Sequence, residues 1–235
     1  MPTAIITGAS RGLGLALARA LDERGWRLVL DARGADALEA ATSELSNAVA
    51  LPGDVADPRH RSALVALAGP QIDLLINNAS ILGPSPQPTL DAYPLDVLED
   101  VLRVNALAPL RLIQLALPAM PDGARIVNVT SDAAVEAYEG WGGYGSSKAA
   151  LEQLTNVLGA ERPNLAVYAF DPGDMNTDMH QAAFPGEDIS DRPPPEAGVP
   201  GLLALIEGEL PSGRYAARAV GGGEAAASVE TEARA

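Results

Sequence analysis

Apolar positions fall along this chain in two alternating rhythms. Thr3 to Thr7 is a short continuous apolar run, and after a glycine-rich stretch Leu13, Leu15, Ala16, Leu17, Ala20 and Leu21 recur at helical spacing until Gly25. The pair repeats: a strand is predicted at Arg27 to Ala32 and a helix from Ala35 to Leu45. A strand at Ala48 to Leu51, a helix opened by Pro58 and running to Ala68, and a strand at Asp73 to Asn77 follow. Strands that are apolar throughout are covered on both faces, and β-α alternation of this kind builds a parallel doubly wound sheet. A proline-rich loop (Gly83 to Pro94), a long helix (Leu95 to Leu117), a strand (Arg125 to Thr130) and a helix entered through Tyr144 and Lys148 continue the pattern. Next come a strand at Leu165 to Phe170, a mixed segment over 175–195, a helix at Leu202 to Leu210 and a last strand at Gly213 to Ala217. The expectation is one α/β domain over 1–218 with about seven strands and helices on both faces. Segment 175–195 reads either as a substrate lid or as a plain loop, and 219–235, poor in packing residues, as a poorly ordered tail.

Composition narrows the function. In 235 residues, 47% are hydrophobic but only 4% aromatic, so the core rests on Ala, Leu, Val and Ile. With no cysteine there are no disulfides or thiolates; His60 and His180 have no ligand spacing around them, so neither a His-centred triad nor a metal site is expected. A net charge of -15 argues against nucleic acid and anionic membrane as partners. There is no cationic leader and no apolar run of membrane-spanning length, so the expectation is a cytoplasmic protein without a membrane partner.

Candidate chemistry sits where strands end. Gly8-Ala9-Ser10-Arg11-Gly12-Leu13-Gly14 joins the first strand to the first helix, a phosphate-binding arrangement of close-approaching backbone and free helical N–H groups. Beyond the second strand stand Asp31, suited to a ribose 2′-hydroxyl, and Arg33, suited to a 2′-phosphate. Arg33 is favoured because Arg11 offers a second positive charge, which selects NADP(H) over NAD(H). Asp54 and Val55 end the third strand, where an adenine would be bounded, and Asn77-Asn78-Ala79-Ser80 close the fourth. Pro109 frees the carbonyl of Asn105 within the long helix. Asn105 there either holds a water or is a packing residue satisfied locally. Ser131 closes the fifth strand and could donate to a substrate carbonyl, or simply make a turn. Tyr144 and Lys148, four apart, share a helix face, and an ammonium so placed should lower the phenol pKa. A surface tyrosine beside a solvated lysine fits the same loose spacing.

Taken in order, Thr7-Gly8-x-x-x-Gly12-x-Gly14, Asp54, Asn77-Asn78-Ala79, Asn105, Ser131, Tyr144-x-x-x-Lys148 and Pro172-Gly173-x-x-x-Thr177 resemble the short-chain dehydrogenase/reductase family over roughly Thr3 to Ala217. The resemblance implies a Rossmann-like fold and a reaction interconverting a carbonyl compound and its alcohol; the apolar residues available to line a pocket suggest a small to medium apolar substrate. It implies Tyr144 as general acid/base, Ser131 polarising the carbonyl, Lys148 on the nicotinamide ribose and Asn105 holding a relay water. Gly8, Ser10, Arg11, Gly12, Leu13, Gly14, Arg33, Asp54, Val55, Asn78, Ala79, Tyr144, Lys148, Pro172, Gly173 and Thr177 become the cofactor contacts. A homodimer or homotetramer is the implied assembly. Ser80 departs from the family's glycine and should widen the approach of that loop to the cofactor. The apolar residues Ile81, Leu82, Ala133, Val135, Trp141, Met175, Met179 and Phe184 could line the substrate pocket. The rival function is a cofactor-sensing regulatory or scaffold protein of the same fold, against which the complete catalytic set speaks.

Overall fold

Seven parallel strands lie in the order β3-β2-β1-β4-β5-β6-β7 in the computed structural model, which describes residues 1–220. They are β1 (Thr3–Ile6), β2 (Arg27–Ala32), β3 (Ala48–Pro52), β4 (Leu74–Asn77), β5 (Arg125–Val129), β6 (Ala166–Asp171) and β7 (Gly213–Ala216). In register, Ile5 lies beside Val29 on one side and Leu75 on the other.

Successive strand residues face opposite ways, so the sheet divides two cores. Ala4, Ile6, Leu74, Ile76, Val127, Tyr168 and Phe170 point to the face covered by α1 (Gly12–Asp22), α2 (Ala35–Ser43) and α8 (Val199–Glu207). Ile5, Leu75, Ile126 and Val167 point to the face covered by α3 (Pro58–Ala68), α5 (Ala108–Ala116) and α6 (Gly142–Glu161). Each fully buried leucine or isoleucine contributes about 1.5–3 kcal/mol, which is how a core with few aromatics holds.

Strand order reverses at β1, whose neighbours are β2 and β4, and a crevice opens beyond their carboxyl ends. The candidate site lies there.

The predicted helix from Leu95 is α4 (Leu95–Leu102), a wider π turn at Arg103–Leu107, then α5 and a 3-10 turn ending at Ala119. Pro109 has no N–H for the carbonyl of Asn105. The π turn is the local adjustment, and it leaves Asn105 wholly buried. By length and composition alone the helix Leu95–Ala119 is apolar enough to cross a membrane, a property shared by core helices of soluble proteins. Its buried side, however, packs on α3, α6 and the sheet.

Two other readings shift. The 175–195 segment contains a short helix, α7 (Asp178–Ala183), capped by Thr177 Oγ1 accepting from the His180 N–H. The helix expected at Leu202 to Leu210 begins at Val199, because Pro200 suits a first turn, and it stops before Gly208. Ala219 and Val220 lie in α9 (Ala217–Val220); the rest of the tail reading, 221–235, falls outside the described residues.

Candidate active site

The turn after β1 is fastened by one hydroxyl and one amide. Thr7 Oγ1 donates to the Ile76 carbonyl (3.3 Å) and accepts from the backbone N–H groups of Asn78 and Ala79 (both 3.0 Å). Asn78 Nδ2 donates back to the carbonyls of Thr7 (2.9 Å) and Gly8 (3.0 Å). Gly8 is left-handed (φ 66°), and a Cβ there would lie 2.9 Å from the Ala79 Cα; a Cβ on Gly14 would lie 2.5 Å from the Gly8 carbonyl oxygen. Chain thus meets chain with no room for side chains. Ser10 sits half-buried on the turn, and Leu13 turns its side chain into the core. At the start of α1 no side chain caps the N–H groups and the first turn holds no acid. The turn therefore fits the phosphates of a dinucleotide: close-approaching backbone and uncompensated helical donors.

The two ribose candidates separate cleanly. Asp31 is buried; Oδ1 accepts from the Gly8 N–H at 2.9 Å and Oδ2 lies 2.9 Å from His60 Nε2. Both oxygens are committed to holding the glycine turn against α3. Arg33, just past β2, is exposed. Arg11 does not stand free as expected: its Nη1 pairs with Asp178 Oδ2 of α7 at 2.5 Å. Asp54 is exposed and turns Oδ1 to its own loop, accepting from the Ala56 N–H at 2.8 Å, while the buried Val55 accepts from Arg61 through its carbonyl.

Tyr144 and Lys148 open α6 on its buried side, with exposures of 8% and 2%. The expectation that the lysine lowers the phenol pKa is not met in the free protein. Burial pushes the phenol up; the Ser80 hydroxyl pulls it down, and the charges of Asp132 and Asp171 push it up again. Ser80 Oγ is buried and faces the phenol without closing a hydrogen bond of full geometry. Lys148 Nζ lies over the ring, 5.4 Å from its centroid, and donates to the Val129 carbonyl at 2.8 Å. Burial lowers the lysine itself to about 8, opposed by the carboxylate of Glu152.

Ser131 stands two residues past β5, but its hydroxyl donates to Asp132 Oδ1 at 2.8 Å and accepts from the Ala133 N–H at 3.2 Å. Asn105 is engaged on both sides: Oδ1 accepts from the Ile81 N–H (2.9 Å), and Nδ2 donates to the Ile81 carbonyl (2.8 Å) and Ser147 Oγ (3.0 Å). Its side chain therefore joins the π turn to the loop after β4 and to α6, the locally satisfied arrangement. Beyond β6, Pro172 precedes a left-handed Gly173 (φ 74°), whose N–H donates to Asp171. Thr177 swings back so that its methyl lies 3.8 Å from where a Gly12 Cβ would be.

Around the phenol, Leu82 and Ala133 are joined by Trp141, Met179, Ala182 and Ala183. Trp141 meets Tyr144 edge-on at 5.9 Å and Phe184 at the same separation. Two expected lining residues are elsewhere: Met175 packs with the core beneath α1 and α8, and Val135 is 60% exposed.

Asn128, Thr155, Thr130, Glu152 and Arg214 escaped the sequence reading. Asn77 joins Asn128 and Thr155 in a buried hydrogen-bonded chain from β4 through β5 to α6. Arg214 on β7 donates to Glu152 Oε1 (3.0 Å) and Asp171 Oδ2 (2.9 Å), and Thr130 Oγ1 donates to Glu152 Oε1 (2.7 Å). A charge in a run as apolar as Leu28-Val29-Leu30-Asp31-Ala32, or Glu152 one turn beyond Lys148, was the available signal.

Comparison with known proteins gives one consistent answer. Residues 2–188 match the family profile described as short chain dehydrogenase. The chain is 38% identical over 173 residues to short chain dehydrogenase asqE of Emericella nidulans, covering 68% of this chain and 64% of that protein. It is 34% identical over 200 residues to sepiapterin reductase of Bos taurus, covering 76% and 74%. Among solved structures, a chain from Escherichia coli CFT073 described as a short chain dehydrogenase complexed with NADPH superposes with a TM-score of 0.83. It is 26% identical, over 92% of this chain and 96% of that one.

Proposed function

Because the chain belongs to the short chain dehydrogenase family, whose members are oxidoreductases, we propose that it is a cytoplasmic NADP(H)-dependent enzyme interconverting an apolar ketone or aldehyde and its alcohol. The observation that carries this reading is the juxtaposition at the switch in strand order. A phosphate-ready glycine turn leaves β1, and Ser131 and the Tyr144 helix follow β5 on the same rim.

When bound, the cofactor supplies the hydride. Gly8 to Gly14 would hold its phosphates, Arg33 its 2′-phosphate, and Asn78, Ala79, Gly173 and Thr177 the nicotinamide half. Tyr144 gives its proton to the carbonyl oxygen during reduction and recovers one from solvent. Its raised pKa keeps the phenol protonated at neutral pH but makes it a weaker acid, so the proton moves only as charge develops on the carbonyl oxygen. Ser131 must turn from Asp132 to donate to the same oxygen. Lys148 keeps a positive charge beneath the ring and reaches the ribose hydroxyls; Asn105 fixes the Ile81 loop as the near wall. Leu82, Trp141 and Met179 favour an apolar substrate.

Cofactor choice is tested by following NADPH and NADH consumption against a carbonyl panel. NADPH is expected to be preferred. Arg33→Ala removes a charge-assisted contact of about 1.5–3 kcal/mol, weakening NADPH about 10- to 100-fold with NADH unchanged. Tighter NADH binding by the unaltered protein would overturn the assignment of Arg33.

We also read the chain as a homodimer or homotetramer, supported by the exposed apolar side chains Leu95, Leu107, Leu115 and Val157 on α4, the π turn, α5 and α6. Light scattering should report an oligomer, and Leu107→Glu should lower its mass; a monomeric starting protein refutes this.

A further inference from the structure

Lys148 is the only lysine in the chain, among sixteen basic residues. It is 2% exposed, and the interior around it must hold its charge without water. The groups facing that region can be named element by element. On α6 are the Tyr144 phenol one turn before and Glu152 one turn after; at the end of β5 is the Val129 carbonyl and beyond it Asp132. From β6 comes Asp171 and from β7 Arg214. Glu152 is 8% exposed and held by Arg214 Nε and Thr130 Oγ1 on one oxygen. Arg214 also reaches Asp171 and, at 3.5 Å, the Ser131 carbonyl. Lys148 and Glu152 share the buried side of α6, where residues at i and i+4 lie one above the other, and the partly exposed Arg214 joins the carboxylates of Glu152 and Asp171.

We propose that Glu152, clamped by Arg214, is the counter-ion that keeps Lys148 an ammonium. It is thereby a positioning residue for the reaction, although it touches neither substrate nor cofactor. Arg214 has two opposed effects: it holds the carboxylate in place and offsets part of its charge. The catalytic consequence rests on the oxidoreductase reading; the charge state of Lys148 does not.

A single lysine makes the test direct. The full chain is labelled with 13Cε-lysine, giving one assignable signal, and its shift is followed against pH without substrate. The wild-type midpoint is expected near 8. Glu152→Gln keeps an acceptor for Thr130 and Arg214 but removes the charge, and should lower the midpoint by about one to three units. Arg214→Gln should raise it, the lost positive charge outweighing the loosened clamp. A purely structural role would move none of these. An unmoved midpoint in folded Glu152→Gln overturns the proposal; if that variant does not fold, an unmoved or lowered midpoint in Arg214→Gln does so. The alkaline limb of carbonyl reduction should follow the same midpoints from variant to variant. If no protein in the series turns over, wild type included, the oxidoreductase reading fails while the lysine midpoints still judge Glu152.

Discussion

Turnover of Tyr144→Phe should fall by about 10²- to 10⁴-fold, the usual contribution of a positioned acid or base, while NADPH binding stays close to that of the wild type. The substitution removes one oxygen and leaves the ring packed edge-on against Trp141 and beneath Lys148 Nζ. The phenol is not among the groups that fasten the glycine turn, so the phosphate end is untouched. Steady-state rates with a reducible carbonyl, together with NADPH binding by fluorescence, read both quantities. The same variant separates an enzyme from a cofactor sensor: a sensor would bind as before and have no rate to lose. Turnover retained in Tyr144→Phe would end the mechanism argued from this helix.

The second large effect belongs to the glycine turn. Gly14→Ala places a methyl 2.5 Å from the Gly8 carbonyl oxygen and 2.7 Å from Asn78 Nδ2, the two ends of one fastening hydrogen bond. The first is backbone and the second, a side-chain end, is held by the carbonyls of Thr7 and Gly8, so α1 must move away from the turn. Overpacking of this kind costs about 1–3 kcal/mol, and NADPH should bind about 10- to 100-fold more weakly. Calorimetric titration measures the affinity, and thermal melting without cofactor shows how much of the cost the free protein bears. Unchanged affinity would mean that the phosphates do not sit on this turn.

Asp31 shows where reading a chain in one dimension stops. Its place after an apolar run made it a candidate for the ribose, and its sequence neighbours do not tell that its oxygens go to Gly8 and His60. Those partners are 23 and 29 residues away. Arg11 is a similar case, because Asp178, 167 residues on, reaches its guanidinium across the mouth of the site. Asn105 was legible as a polar residue one helical turn before a proline, but the loop it holds belongs to a different strand end.

What could be read along the chain was whatever depends on near neighbours: strands and helices from apolar rhythm, turns from glycine and proline, and the i,i+4 pairing of Tyr144 with Lys148. The parallel direction of the sheet followed from the alternation of strands and helices, while the strand order came only with the structure. Proton affinity was another matter. Spacing said the cation should acidify the phenol, whereas enclosure raises the phenol, lowers the lysine and ties its nitrogen to Val129. Desolvation depends on everything that packs around a group, and the groups around Tyr144 come from the loop after β4, the turn after β5, β6 and α7. Charge and its surroundings meet only when distant parts of the chain close over one another.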